Sequence, residues 1–504
     1  MRLACLHVPD FPLAARLRAE PELRGTALLI AEAPGARARV VACAPQAQRR
    51  GATVGLSIAQ ALAAAGECAV RVASGDVEQA AHAALADVAY SFSPRVEDGA
   101  PGTVFVDADG LQALYASEAA LAQAMEQRAR GLGLQALIGI AGTKIAAELA
   151  ARDGGGCTVV PPHEEWRLLE PLSIDRLAPD AAVRETLLRW GVRTLGQLAA
   201  LPTGELAIRL GPDAAALARR ARGEDAYPLA PRPLPLDFAE SAELEWGVDG
   251  LEPFLFVVRG LLDRLIARLE VRGLVCGDLR LSLGLADRGR DERTVVVAAP
   301  SNAVKPLLTL LRVHLEAHPP RAAVEHVRLT AVPERLRAAQ LDLFRPHGPA
   351  PALLAATLAR LGALCGAAAV GAPALVDSHR PEAFAVQPFH VERTSHAERS
   401  APRHVAPSMP TSVALRTLRP PHALDVFCQR DQPEFIRPVD AVNPTIGCTG
   451  RVVTLAGPWR LATEWWRPDV LHRDYYDAQL SDGAIYRVFF DRLIQRWFLD
   501  GVYD

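Results

Sequence analysis

Lysine is nearly missing: of the 55 basic residues only Lys144 and Lys305 are lysine. The arginines that remain, beside so many alanines, read as the codon bias of a GC-rich genome and not as a special use of guanidinium. Cysteine is sparse as well. The eight residues (5, 43, 68, 157, 276, 365, 428 and 448) form no CxxC pair and no metal-like Cys/His spacing. That excludes a disulfide frame and a zinc site, and it fits buried thiols in a reducing cytosol. No basic-then-apolar leader opens the chain. The most apolar run, Ala350 to Val376, is broken by Pro351, Arg360 and several glycines, so it does not read as a membrane span. Nor is there an excess of either charge. A net of −3 excludes a uniformly basic nucleic-acid coat but leaves room for one basic DNA-facing surface. A cytoplasmic protein is expected. What the chain does have is length and core material: 504 residues, 50% hydrophobic and 22% charged, enough for three or more domains at about 150 residues each.

Alternating apolar residues predict strands at Arg2 to Val8, Ala27 to Ala31, Arg39 to Ala42, Thr103 to Val106 and Ala136 to Ile140. Helical spacing appears at Ser57 to Ala65, Val77 to Phe92, Ala116 to Arg130 and Thr143 to Ala151. The mixed order predicts an α+β domain ending near Pro161. Trp166 to Arg222 reads as short helices, with a glycine hairpin at Gly191 between two of them, and Tyr227 to Pro235 as a proline-rich linker. Leu251 to Leu269 carries one clean apolar stripe. Strands at Leu279 to Leu285, Thr294 to Val297 and Val324 to Val332, and a helix at Pro306 to Ala317, complete a second, smaller α+β domain. Ala385 to Ser412 lacks periodicity and is expected to be a flexible linker. The last ninety residues change character, holding Trp459, Trp465, Trp466, Trp497, Tyr475, Tyr476, Tyr486 and Tyr503. Alternation at Gly450 to Leu455, Arg460 to Trp466 and Ala484 to Phe490 predicts a small antiparallel sheet module there.

Three stretches, in order and spacing, carry a resemblance. They are Gly51-Ala52-Thr53-Val54-Gly55-Leu56-Ser57-Ile58, Ser93-Pro94-Arg95-Val96-Glu97 and Ile138-Gly139-Ile140-Ala141-Gly142-Thr143-Lys144. Together they resemble the fingers motif, the lead into the catalytic strand and the palm motif of the Y-family translesion DNA polymerases. The resemblance implies a palm with inserted fingers (1–165, fingers about 25–75), a helix-hairpin-helix thumb (166–235) and a little finger (236–345). Polymerase chemistry needs two divalent metals held by clustered carboxylates. The family's positions for them fall here on Pro9, Gly102 and Thr103, its ribose gate near Ala14, and its triphosphate-holding Tyr and Arg on Pro45 and Gln48. Asp10 is one residue out of place, and Asp107 and Asp109 read as surface or turn residues rather than a rescued metal site. The resemblance therefore implies a polymerase fold without catalytic residues, metal or cofactor. Gly139 to Lys144 is not a phosphate loop either, since Thr143 stands where that pattern needs glycine.

The whole chain resembles the ImuB family of bacterial pseudo-polymerases more closely. The marks are Asp377-Ser378-His379-Arg380-Pro381-Glu382-Ala383-Phe384, Gly457-Pro458-Trp459-Arg460, Arg473-Asp474-Tyr475-Tyr476-Asp477 and Trp497-Phe498-Leu499-Asp500-Gly501-Val502-Tyr503-Asp504. Membership would imply a scaffold of the SOS response to DNA damage, a mutasome part joining the β sliding clamp, a RecA-like ImuA-type protein and an error-prone C-family polymerase. It would add a helical extension (346–384), the linker (385–412) and a C-terminal partner-binding module (413–504).

Gln340-Leu341-Asp342-Leu343-Phe344 resembles the pentapeptide by which bacterial proteins dock in the clamp pocket, two apolar side chains filling subsites while the amide fixes register. The alternative is a last little-finger strand with Leu341, Leu343 and Phe344 inside. In the thumb, Arg189, Gly191, Arg193, Arg219, Arg220 and Arg222 are candidate contacts to DNA phosphates, against the plainer reading of solvated arginines. The little finger balances its charges and should grip primer-template DNA weakly. In the tail, the adjacent pairs Trp465-Trp466 and Tyr475-Tyr476 cannot both turn inward on a strand, so one of each is expected to face a partner or a covering loop. A working Y-family polymerase and a clamp-independent DNA-binding repair factor remain the competing readings.

Overall fold

A computed structural model describes the chain except residues 232, 234–235, 298–299, 336–353, 355–356, 359, 363–364, 367–368, 381–382, 388–413, 431, 440–447, 464–465, 467–469 and 504. Gln340 to Phe344, read as a clamp-docking motif, together with Trp465 and nearly all of the expected linker, therefore lie outside the described residues. Among those described, no helix is long and apolar enough to cross a membrane. The chain divides into two compact units, Met1–Ala367 and Ala368–Asp504.

The first unit opens with β1 (Leu3–His7) and α1 (Phe11–Ala19), then inserts β2 (Leu28–Ala31), β3 (Val40–Cys43), α2 (Pro45–Arg49), α3 (Ile58–Ala65) and β4 (Ala69–Val72). The insert forms its own sheet, β3-β2-β4. Ser57 and Gln60 make a reciprocal capping box that starts α3. The chain returns through α4 (Gly75–Tyr90), β5 (Val96–Asp98), β6 (Thr103–Asp107), α5 (Glu118–Gly131), β7 (Leu137–Ala141), α6 (Lys144–Asp153) and β8 (Cys157–Val159). These complete a five-stranded sheet, β5-β6-β1-β7-β8. Strand alternation sorts its residues. Ala4, Leu6, Val104, Val106, Ile138 and Ile140 meet α4 and α5 in one core. Leu3, Cys5, Phe105 and Ala141 face the other way, where α6 packs. Gly139 permits that approach, because a Cβ there would lie 2.1 Å from the Ala147 carbonyl oxygen. The three-stranded sheet lies within the segment read as fingers, and the five-stranded sheet within the segment read as palm.

Five short helices follow: α7 (Glu165–Leu169), α8 (Ala181–Arg189), α9 (Leu195–Ala199), α10 (Thr203–Leu210) and α11 (Pro212–Ala221). They close around Ile174, Leu187, Leu195, Leu198 and Leu206. Gly191, at φ 80°, makes the expected hairpin between α8 and α9. The segment read as a little finger comprises β9 (Phe238–Val248), α12 (Leu251–Val271), β10 (Leu274–Leu285), β11 (Arg290–Val295), α13 (Val304–Ala317) and β12 (Val324–Arg335), with sheet order β11-β10-β12-β9. The α12 stripe is buried as its spacing predicts, through Leu255, Val258, Leu262, Leu265 and Leu269. Strand β9 escapes sequence reasoning because Glu240 stands in the inward phase that Phe238, Ala242 and Leu244 share.

The second unit corrects two expectations. Ala385–Gln387, read as the start of the linker, is β14 and pairs with β13 (Ala372–Ala374). The terminal module is a closed barrel of β15 (Leu415–Gln429), β16 (Gln432–Pro438), β17 (Gly450–Thr463), β18 (Leu471–Leu480), β19 (Ile485–Asp491) and β20 (Arg496–Tyr503). Gly450 to Leu455 and Arg460 to Trp466 are read as two strands, whereas Gly450–Thr463 forms a single strand, β17. Closure satisfies the edges that a small open sheet would expose. The class expected from the sequence, α+β with a mostly-β terminal module, is the class observed.

Candidate functional site

The sheet register builds the palm site. β1 runs antiparallel to β6, with His7 opposite Thr103, and the Val8 N–H donates to the Gly102 carbonyl at 2.8 Å. His7 Nδ1 lies 3.0 Å from Thr103 Oγ1. Pro9 is exposed beyond the end of β1. Gly102 sits at φ 78°, and a Cβ on it would fall 2.6 Å from the Phe11 ring. A carboxylate side chain at Gly102 would have to displace that ring. Burial first, then the nearby Arg152 guanidinium, lowers the His7 pKa to about 4, so the imidazole is neutral at physiological pH.

The aspartates nearby are otherwise engaged. Asp107 is buried and bound by Arg95 at 2.8 Å, while it accepts the Asp109 N–H at 3.0 Å. Asp10 is exposed at the start of α1. Among the described residues no group of three or more His, Cys, Asp or Glu side chains could hold a metal ion. Gln48, at one expected triphosphate position, donates to the Cys43 carbonyl instead. Lys144 pairs with Glu97 at 2.9 Å, and Glu97 also accepts the Ala230 N–H. Asp225 takes the Lys144 and Ile145 amides at the start of α6, the end where a negative charge is favoured. These contacts draw the segment after the thumb across the palm, and Leu229 is buried beside Leu3, Cys5 and Phe105.

A second assembly joins palm to little finger. Arg18 donates to both Glu240 oxygens, at 2.9 and 2.7 Å, and Arg264 and Arg268 reach the same carboxylate at 3.2 and 3.3 Å. Arg268 and Arg272 also bind Asp87 of α4, at 2.8 and 3.0 Å. Burial alone would raise the Glu240 pKa, but the surrounding guanidiniums overcome it and hold the carboxyl at about 2. Sequence reasoning missed this cluster and His7 alike. Their partners stand 222 and 96 residues away, and no local pattern marks them.

The thumb arginines divide. Arg222 donates to the Ala199 and Leu201 carbonyls and Arg220 to that of Leu177, so both hold the thumb itself together. Arg189 pairs with Glu185 one helical turn away. Gly191, Arg193 and Arg219 are exposed. On the helix-free face of the little-finger sheet, Arg280, Arg290 and Arg328 stand among Glu243 and Glu292, a mixed rather than a basic surface. In the tail Trp466 is 62% exposed. Tyr475 is instead buried against Phe489, a correction to the expected partner-facing role, and Tyr476 is half-buried against Trp497. Pleating explains the difference within the pair: Tyr475 and Tyr476 point to opposite sides of β18.

Residues 6–152 match the model of the impB/mucB/samB family (IMS). The protein ImuB of Caulobacter vibrioides (strain NA1000 / CB15N) is 27% identical over 84% of this chain and 94% of its own length. A DNA polymerase IV of Dehalococcoides mccartyi (strain CBDB1) is 29% identical over 45% of this chain and 60% of its own. The crystal structure of DinB from Sulfolobus solfataricus aligns with 67% of this chain and all of its own, at 15% identity and a TM-score of 0.41.

Proposed function

We propose, from the premise that this chain is an ImuB-family protein with a Y-family polymerase-like body, that it serves DNA-damage-induced mutagenesis and translesion synthesis as a scaffold that performs no nucleotide transfer. One observation carries the reading. At the ends of β1 and β6, where two-metal chemistry needs converging carboxylates, this chain places a neutral His7, Thr103 and a Gly102 whose backbone leaves a side chain no room. The body retains the means to lie along DNA, with the Gly191 hairpin, Arg193 and Arg219 as phosphate contacts, and its grip is weak because the little-finger face is of mixed charge. Gln340 to Phe344 tethers the chain to the β sliding clamp. The C-terminal barrel, with Trp466 exposed beside it, recruits a RecA-like ImuA-type protein and the C-family polymerase that does the synthesis.

Primer extension with the purified chain, in magnesium and in manganese, tests the central claim. No template-dependent incorporation is expected. Incorporation that disappears in Asp10→Ala or Asp107→Ala would make this a working polymerase with displaced carboxylates. Capture on immobilised clamp separates the scaffold from a clamp-independent repair factor.

A further inference from the structure

The C-terminal barrel carries a row of side chains that partner recruitment does not explain. In β15, β16 and β17 the register sets Phe427 opposite Phe435, and Phe435 opposite Arg451. All three lie on the outside of the barrel. Their neighbours Val426 and Ile436 pack into its interior, and alternation turns the row outward. Phe427 is 66% exposed and Phe435 40%, in a module where Tyr486, Val488 and Phe489 are buried. Two adjacent exposed phenylalanines cost solubility and contribute nothing to this core, so their place needs another account.

Charge supplies it. Strands β15, β16 and β17 carry five arginines (416, 419, 437, 451 and 460) against Asp425 and Glu434. Strands β18, β19 and β20 carry three arginines against four aspartates. Arg437 is neutralised by Asp425 at 3.0 Å and Arg460 by Asp474 at 2.7 Å, while Arg451 stands exposed at the end of the aromatic row. The β15–β17 half thus combines the arginine excess with exposed rings, while the rings of β18–β20, Tyr475, Tyr486 and Phe489 among them, are buried or half-buried. A polyanion with flat, unpaired rings needs both, the rings for stacking and the arginines for phosphates.

We propose that the β15–β16–β17 face binds single-stranded DNA, with bases stacked on Phe427 and Phe435 and a phosphate held by Arg451. The barrel thereby holds unpaired template while the partner polymerase works. The site is separate from the thumb contacts; its DNA binding stands or falls without the scaffold reading, and only its service to a partner polymerase rests on that reading.

The full chain is titrated into a fluorescent oligothymidylate of roughly 16 nucleotides, about the longest stretch such a barrel covers, and anisotropy is followed across a salt series. Phe427→Ala with Phe435→Ala should weaken binding at least about tenfold and leave the salt slope unchanged, as loss of stacking does. Arg451→Ala should lower the slope by about 0.7, the share of one single-strand phosphate. Phe427→Tyr with Phe435→Tyr should bind like wild type, since the ring face remains. A hairpin duplex probe should bind the double alanine variant and wild type equally. Ultraviolet crosslinking of wild type to a 4-thiothymidine oligonucleotide should map to β15–β17. If the double alanine variant holds the oligonucleotide as tightly as wild type, or the crosslinks fall wholly within Met1–Ala367, the proposal fails. It fails equally if hairpin binding drops in step, or if the variant loses only the capture of a protein partner.

Discussion

His7 shows how a single residue takes its protonation state from the fold around it. It occupies the end of the central palm strand, half-buried, within 3.0 Å of Thr103 and under the influence of Arg152. Its pKa falls from 6.5 to about 4 on folding, so the unfolded chain takes up the proton more readily. The stability this represents is complete above pH 6.5 and is lost as pH falls towards 4. Chemical denaturation at a series of pH values should show that decline, and His7→Gln should flatten it; a slope equal to that of wild type would remove His7 as its source. Glu240 has the same sign in a lower window, its contribution disappearing only as pH falls from 4.5 through about 2. Glu240→Gln at pH 7 should cost about 3 kcal/mol in urea unfolding, because it leaves buried guanidiniums without their counter-charge. A loss within experimental error would mean that the cluster relaxes or admits water.

At the scale of elements, β9 and α12 are held to α1 and α4 by ionic contacts as well as by packing. Arg264 adds a bond to the Ala19 carbonyl at 3.1 Å, and Ala267 and Val271 of α12 lie against the palm core. Such buried pairs contribute less net stability than apolar contacts would, but they are intolerant of misalignment. The segment ending in Gln340 to Phe344 follows β12 directly in the chain. Leu343→Ala with Phe344→Ala should abolish capture on immobilised clamp and damage-induced mutagenesis while leaving the thermal unfolding midpoint in place. A double variant that unfolds would assign those side chains to the little-finger core instead.

At the scale of the whole molecule, the body and the barrel fall in separate compact units, so each can be removed and tested in turn. Truncation after Ser412 should keep clamp capture and eliminate pull-down of the RecA-like protein and the C-family polymerase. If the truncated chain still recruits both, their interface lies on the palm, thumb or little finger. The same truncation should remove the oligothymidylate binding assigned to β15–β17, so the two roles of the barrel are then separated by the Phe427 and Phe435 variants.

By itself the sequence determined whatever depends on neighbours within a turn or a strand. The α12 stripe, the Gly191 hairpin, the Ser57 start of α3 and the alternation of β1 and β7 are all local, and all stand where periodicity puts them. It also determined that Pro9, Gly102 and Thr103 are not carboxylates. Tertiary structure alone decided what those positions had become: that His7 meets Thr103, that Phe11 fills the space over Gly102, and that Leu229 crosses the palm. It decided the fate of β9 as well, since a strand with Glu240 in its middle is stable only where Arg18 and Arg268 converge on it. In the barrel, composition marks an aromatic module, but only strand register aligns Phe427, Phe435 and Arg451. Register is a pairing between distant segments, and a single chain read in order does not contain it.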